Sequence, residues 1–293
     1  MNGFKSLSCA LAGLAAWSLA SGCALVRKGA ARVIAPVASQ LSEGLMHQND
    51  VELVREGAPS FLLMLDALAA AHPDNPAVLI AAADAQMAYA TGFVDKANKE
   101  RTKAMYLKAK TYGQRALSKN KRFARALDSI DQDEFVRSLR GFGKKDAEAL
   151  FTAARAWVMW SISSSDSPAA LGEMSRALAL MERVQALAPD IRQGGVDQFY
   201  GIYFTVLPLG GGRDLEKARA YFERSMEVAG PDFLLNRVVF AEFYARYAFD
   251  PDLFESTLRD VLAADPDVPG FTLMNAVAKM RAQALLDQMD DLF

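Results

Sequence analysis

Residues 194–230, GGVDQFYGIYFTVLPLGGGRDLEKARAYFERSMEVAG, decide the fold class. Phe199, Tyr200, Tyr203, Phe204 and Leu207 recur at the spacing of one helical face, so this segment predicts a helix. Pro208 ends it, and Gly210, Gly211 and Gly212 supply the backbone freedom of a tight reversal. Asp214 has the side chain of a good N-cap for a second helix. In that helix Leu215, Ala218, Phe222, Ser225 and Met226 form a single stripe, and Gly230-Pro231 stops it. Two antiparallel helices joined by a glycine turn make a helical hairpin.

The same pattern extends in both directions. Val51 to Ala71 reads as two short helices, with Pro59 opening the second at a first-turn position. Ala77 to Gly92 and Glu100 to Leu117 form the next pair, with Ala109, Gly113 and Ala116 at close-packing positions. Lys121 to Gly143 reads as one short helix and then a loop. Asp146 is expected to cap an amphipathic helix carrying Leu150, Phe151, Ala154, Trp157, Val158 and Ile162, whose partner runs from Ser167-Pro168 to Ala188. Phe233 to Phe249 pairs with Leu253 to Ala264, and Thr272 to Asp290 reads as a single terminal capping helix. In the 194–230 hairpin, small Ala218 and Ser225 flank large Phe222, opposite small Gly201, which resembles the packing of a tetratricopeptide repeat (TPR). The hairpins end near Pro73, Lys121, Pro189, Gly230 and Pro266, an irregular spacing where a regular array repeats about every 34 residues. The expected fold is therefore all-α: degenerate TPR-like helical hairpins forming an α-solenoid over 50–293, with a C-terminal capping helix.

Residues 1–23 read as a targeting segment. Lys5 precedes an apolar run, Ser6 to Leu19, too short to span a bilayer comfortably. Leu19-Ala20-Ser21-Gly22-Cys23 resembles a bacterial lipobox, in which Cys23 is acylated and becomes the mature N-terminus; the alternative is an ordinary signal peptide with an incidental cysteine. Ala24 in place of aspartate favours the outer membrane over the inner, and residues 24–49 read as a tether to a periplasmic domain. With Cys9 in the leader and Cys23 lipidated, the mature domain has no thiol for a disulfide, a zinc cluster or a nucleophile.

The remaining chemistry points to binding. A net charge of −2 argues against nucleic-acid partners. Gly210–Gly212 lacks the lysine and hydroxyl of a phosphate loop, and His47 and His72 sit in no metal or acid–base arrangement, so no cofactor, metal or catalytic constellation is expected. Between Lys96 and Arg125 the run is basic, with Glu100 its one acid; it is either a solvated face or an electrostatic contact for an acidic partner. The large residues of 199–207 span a wider arc than one helix contact consumes. An apolar wall of Tyr200, Tyr203, Phe204, Leu207 and Pro208, edged by Arg213, is thus the expected partner or ligand site.

An aromatic helix ending Leu207-Pro208-Leu209-Gly210-Gly211-Gly212, then Asp214-Leu215-Glu216-Lys217-Ala218-Arg219-Ala220-Tyr221-Phe222, resembles the T-component of TRAP transporters, and the end, Leu285 to Phe293, is similar to that family's terminus. The resemblance implies a non-enzymatic periplasmic lipoprotein that docks the substrate-binding (P) subunit of a carboxylate-type solute transporter. It also implies a homotrimer whose protomers each dock a P subunit and whose interior has an apolar channel or cleft. The alternative is a TPR-like pilotin or assembly scaffold of an outer-membrane machine. Cys23→Ser should release the protein into the soluble fraction or leave its leader uncleaved. A single acyl chain anchors only marginally, at about 0.8 kcal/mol per buried CH₂, so loss of the several chains of a mature lipoprotein would be plain in membrane fractionation.

Overall fold

The first helix, α1 (Val51–Ala71), begins where the Asp50 carboxylate accepts the Leu53 N–H at 2.9 Å, and it runs unbroken through Pro59. The two short helices expected there are therefore one. Pro59 gives up a single bond, to the carbonyl of exposed Arg55, while Val54, Leu62, Leu65 and Ala69 keep one buried stripe on both sides of it. The structure, a computed structural model, describes residues 44, 47–95 and 97–293. The expected leader, the Cys23 lipid site and most of the tether lie outside these residues. Met46–Phe293 folds as one unit, and its described residues contain helices and no strand, so the all-α class is what the chain adopts.

Helix α2 (Pro76–Gly92) starts at Asn75, whose side chain accepts from Ala77 and Val78, with Pro76 at the position where its missing N–H is harmless. Asn98 caps α3 (Lys99–Leu117) in the same way through Arg101. Two short helices, α4 (Lys121–Leu127) and α5 (Gln132–Leu139), occupy the stretch expected to be one helix and a loop. Asp131 starts the second by accepting from Asp133 and Glu134, and its folding is driven by an aromatic cluster. Phe123 lies 5.6 Å from both Phe135 and Phe142, and Phe135 meets Trp157 edge-on at 6.0 Å.

Helix α6 (Ala147–Ser163) follows a short 3-10 turn, Lys144–Asp146. Asp146 does not cap it: its carboxylate turns back and accepts the Gly143 N–H at 2.9 Å, closing the 3-10 turn. The partner expected as one helix is two, α7 (Pro168–Gly172) and α8 (Met174–Leu187). At their join, Glu173 accepts from Lys110 and from the Trp157 indole at 2.8 Å.

Helix α9 (Ile191–Val206) and α10 (Leu215–Ala229) are the hairpin of 194–230, and Asp214 caps α10 by accepting from Lys217 at 3.0 Å. Regular helix in α9 begins only at Gly195, because Arg192, Gln193 and Gly194 adopt left-handed conformations. Helix α11 (Leu235–Val239) runs into a π-helical turn, Phe240–Ala245, in the aromatic stretch. Helix α12 (Pro251–Ala263) packs on α13 (Thr272–Leu286), and a short α14 (Met289–Leu292) ends the chain where one helix to Asp290 was expected. The terminal helix does more than cap an open end. Besides filling a core with Val238, Phe254 and Leu258, it returns to α1 and to α2, where Val277 lies 3.6 Å from the position of a Cβ on Gly92.

Close approach of helix pairs depends on missing side chains. A Cβ on Gly113 would stand 2.9 Å from the Ala153 backbone, so α3 rests on α6 at van der Waals range. In the α9–α10 hairpin, a Cβ on Gly201 would stand 2.8 Å from the ring of Phe222, which is 1% exposed and has nowhere to move. Gly201→Ala should therefore overpack the pair and cost ~1–3 kcal/mol in denaturant unfolding. Unchanged stability would show that the two helices do not pack at this spacing.

Candidate functional site

The α9–α10 hairpin presents a ledge of stacked aromatic rings. Tyr221 of α10 stacks on Tyr200 at 4.9 Å and on Phe204 at 5.8 Å, and Tyr203 meets Phe204 edge-on at 5.5 Å. The wall expected from the sequence divides in depth. Tyr200 is 4% exposed, belongs to the core, and donates its hydroxyl to Gln185 at 3.2 Å. Its placement differs from the exposed one expected because the α8 side of the hairpin supplies both a hydrogen-bond acceptor and apolar cover. Tyr203, Phe204 and Leu207 are half-buried, Pro208 is exposed, and Leu209 projects with 84% of its surface open.

Arg213 also differs from its expected role. Its Nε donates to the Leu207 carbonyl at 2.7 Å and its guanidinium sits 5.5 Å over the Tyr247 ring, so it latches the turn. The glycines serve the same reversal. Gly210 and Gly212 have φ of 84° and 102°, the Gly211 N–H donates to Pro208 at 2.8 Å, and the Asp214 N–H donates to Phe204 at 3.1 Å.

The cations at the ledge come from residues the sequence reading did not single out. Lys217 lies 5.6 Å over Phe204, and Arg224 lies 5.1 Å over Tyr221 while pairing with Asp197. The signal was present: Lys217, Tyr221 and Arg224 lie four and three residues apart and so share a face of α10 that looks polar in the sequence. Burial, and then Glu182, pushes the Tyr203 phenol up from its ordinary value. Tyr200 is pushed up in the same way, with Tyr221 and Asp197 adding to the effect. Both rings are therefore neutral at physiological pH, and each cation of the ledge is paired with a carboxylate, Lys217 with Asp214 at 2.9 Å and Arg224 with Asp197.

Much of the basic run is spent inside the protein. Lys108 pairs with Asp66 of α1, Lys103 with Asp166 at 3.5 Å, and Arg115 donates to the Pro73 carbonyl at 3.3 Å. Lys110 is 7% exposed, pairs with Glu173 at 2.5 Å, and has its ammonium 3.4 Å from the Trp160 ring centre and 4.9 Å from that of Trp157. Burial lowers its pKa and Glu173 opposes the shift. These pairs tie α3 to α1 and to the α7–α8 join; Lys119, Lys121 and Arg122 remain exposed.

Comparison with known proteins adds the family context. The sequence profile described as TRAP transporter T-component matches residues 47–293. An uncharacterized protein of Treponema pallidum (strain Nichols) is 23% identical over 265 residues, covering 84% of this chain and 81% of that one.

The depth of the wall can be checked by stability. Tyr200→Ala should cost about 3–5 kcal/mol, as buried aromatic truncations do, whereas Leu209→Ser should change stability by no more than about 0.5 kcal/mol. Equal losses at the two positions in chemical denaturation would mean that the ledge is closed over by the fold.

Proposed function

The chain belongs to the TRAP transporter T-component family, and on that premise we propose that it docks the periplasmic substrate-binding (P) subunit of such a transporter on the α9–α10 ledge. The family is a transporter accessory, and the role proposed is binding without catalysis. The observation that carries the ledge reading is an apolar surface left open on a packed hairpin: half-buried Tyr203, Phe204 and Leu207, exposed Pro208, and Leu209 beyond them. Contiguous exposed apolar surface of this kind marks an interaction site, and stacked aromatic rings already held in place lose little entropy on binding. Lys217 and Arg224, each paired with a carboxylate of its own chain, give this apolar surface a polar edge. Anchoring through an acylated Cys23, a position at the outer membrane, and assembly as a homotrimer complete the proposal. They are supported by the small residues before Cys23 and by what the family resemblance implies.

The test is binding of the P subunit encoded by the same genome, measured by calorimetry and by surface kinetics on ledge variants. Phe204→Ala and Leu209→Asp should each weaken the complex by tenfold or more, since truncated hot spots lose about 2 kcal/mol or more. Both variants should melt within a few degrees of the parent protein. Parental affinity in both would place the docking surface on another face of the array.

A further inference from the structure

The α4–α5 pair is polarised in charge. Asp128 ends α4, and Asp131, Asp133 and Glu134 open α5, so the acids gather at the loop between the two helices. The cations gather at the opposite end. Lys119, Lys121 and Arg122 lie where α3 turns into α4, and Arg140, Lys144 and Lys145 lie where α5 passes through the 3-10 turn toward α6. These two turns touch: a Cβ on Gly141 would stand 2.8 Å from the side-chain nitrogen of Asn120. Beside that contact the buried rings of Phe123 and Phe142 meet edge-on at 5.6 Å, and Arg183 of α8 ties the second turn down by donating to the Phe142 carbonyl. The six cations therefore share one end of the pair, and each of them is exposed.

Earlier in the basic run the charges serve the fold, Lys103 with Asp166, Lys108 with Asp66 and Lys110 with Glu173. At this end they do not. No carboxylate among the described residues forms an ion pair with any of the six. Asp146, the acid of the second turn, gives an oxygen to the Gly143 N–H. Arg140 suits its place at the C-terminus of α5, where a cation complements the helix dipole. Lys121 and Arg122 sit instead in the first turn of α4, and Lys144 and Lys145 lie in the 3-10 turn that leads into α6. A cation at a helix N-terminus opposes the dipole, and like charges on touching turns repel one another. Local stability therefore does not account for these four.

We propose that the touching turns at 119–122 and 140–145 are a contact surface for the anionic headgroups of a phospholipid membrane. A protein partner is held by an apolar, aromatic core with charge at its rim. These turns offer no such core: apart from the cations they carry Asn120, Gly141, Gly143 and the buried Phe142. Charge without shape suits a surface of headgroups, for which a cluster of this many lysines and arginines is sufficient. The acids at the far end of the pair are repelled by the same surface, so the α4–α5 pair meets it with its basic end first. The contact belongs to the folded unit, and it stands whether or not Cys23 is acylated or the ledge binds a P subunit.

The experiment uses the folded unit that begins at Met46, which carries no acyl chain, and measures its co-sedimentation with vesicles. One set is phosphatidylcholine alone and the other contains phosphatidylglycerol as about a third of its lipid, enough to give an anionic surface. The parent should bind the anionic vesicles and not the neutral ones. Raising the salt from about 0.1 M to about 1 M shortens the screening length from roughly 10 Å to 3 Å and should release it. Two reversed pairs test the two turns separately, Lys121→Glu with Arg122→Glu and Lys144→Glu with Lys145→Glu. Each cation at an anionic surface contributes about fivefold in affinity, so either pair should bind roughly twentyfold or more weakly. Lys99→Glu with Arg246→Glu makes the same change of net charge at exposed positions elsewhere and should bind within a few-fold of the parent. Both turn variants should melt no lower than the parent, since they place acids at helix N-termini. The proposal is overturned if the parent ignores anionic vesicles, which would leave the surface to an acidic protein or to solvent. It is also overturned if the turn variants bind as the control pair does, or if both lose their cooperative melt and the cations prove structural.

Discussion

The elbow at Arg192-Gln193-Gly194 is the constraint on which the rest of the array depends. Arg192 and Gln193 hold φ of 51° and 52°, left-handed conformations that cost on the order of 1–3 kcal/mol each for residues with a Cβ. Gly194 can have no side chain at all, since a Cβ there would stand 2.6 Å from the Ser225 carbonyl oxygen. The turn is held from both sides. Ser225 donates to the Gly194 carbonyl at 2.9 Å, and Asn236 donates to the Gln193 carbonyl at 2.9 Å and to the Ser225 carbonyl at 3.1 Å. The strain is thus offset by buried hydrogen bonds whose loss would leave carbonyls unsatisfied. What it achieves is geometric: α9 lies against α10 on one side while Arg192 is carried over to Asp84 and Glu148 on the other. The first helices and the later hairpins are joined at that point.

The hairpins around the elbow obey a single packing rule. Gly113 lets α3 meet Ala153 of α6, Gly195 lets α9 meet the Phe151 ring at a distance that leaves 2.5 Å to a Cβ, and Gly201 receives Phe222. In each contact a missing side chain sits opposite a backbone or a ring, so helix axes approach and dispersion contacts multiply. Such contacts tolerate little added volume. No cysteine follows Cys23 in the sequence, and this packing has to hold the array without a covalent link.

Local signals in the sequence carried most of the fold. Apolar spacing, the helix starts at Ser167 and Asp214, and the Pro208 to Gly212 reversal were each legible because the interactions span only a few residues. The misreadings were local signals overruled by distant partners. Pro59 looked like a helix start, but a continuous buried stripe holds α1 together through it. Asp146 looked like a cap, but the 3-10 turn takes its carboxylate. Tyr200 looked like part of an open wall, but Gln185 and Tyr221 enclose it. The ledge was legible as an aromatic excess, while its division into core and surface was not. The elbow was not legible at all: nothing in Asp190-Ile191-Arg192-Gln193-Gly194 says that Ser225 and Asn236 will hold its carbonyls from other helices.

Helix α9 links the elbow to the ledge. Its first turn carries Arg192, placed over the Phe151 ring, and its last turn and C-cap carry Tyr203, Phe204 and Leu207 of the ledge. A helix with its backbone bonds intact moves as a rod, so a shift of α9 at the elbow is felt at the ledge. The strain at Arg192 and Gln193 sets how readily that rod can be displaced. A relaxed elbow would leave α9 free to settle against either neighbour, whereas this one is fixed by Ser225 and Asn236 against α10 and by Arg192 against α2 and α6.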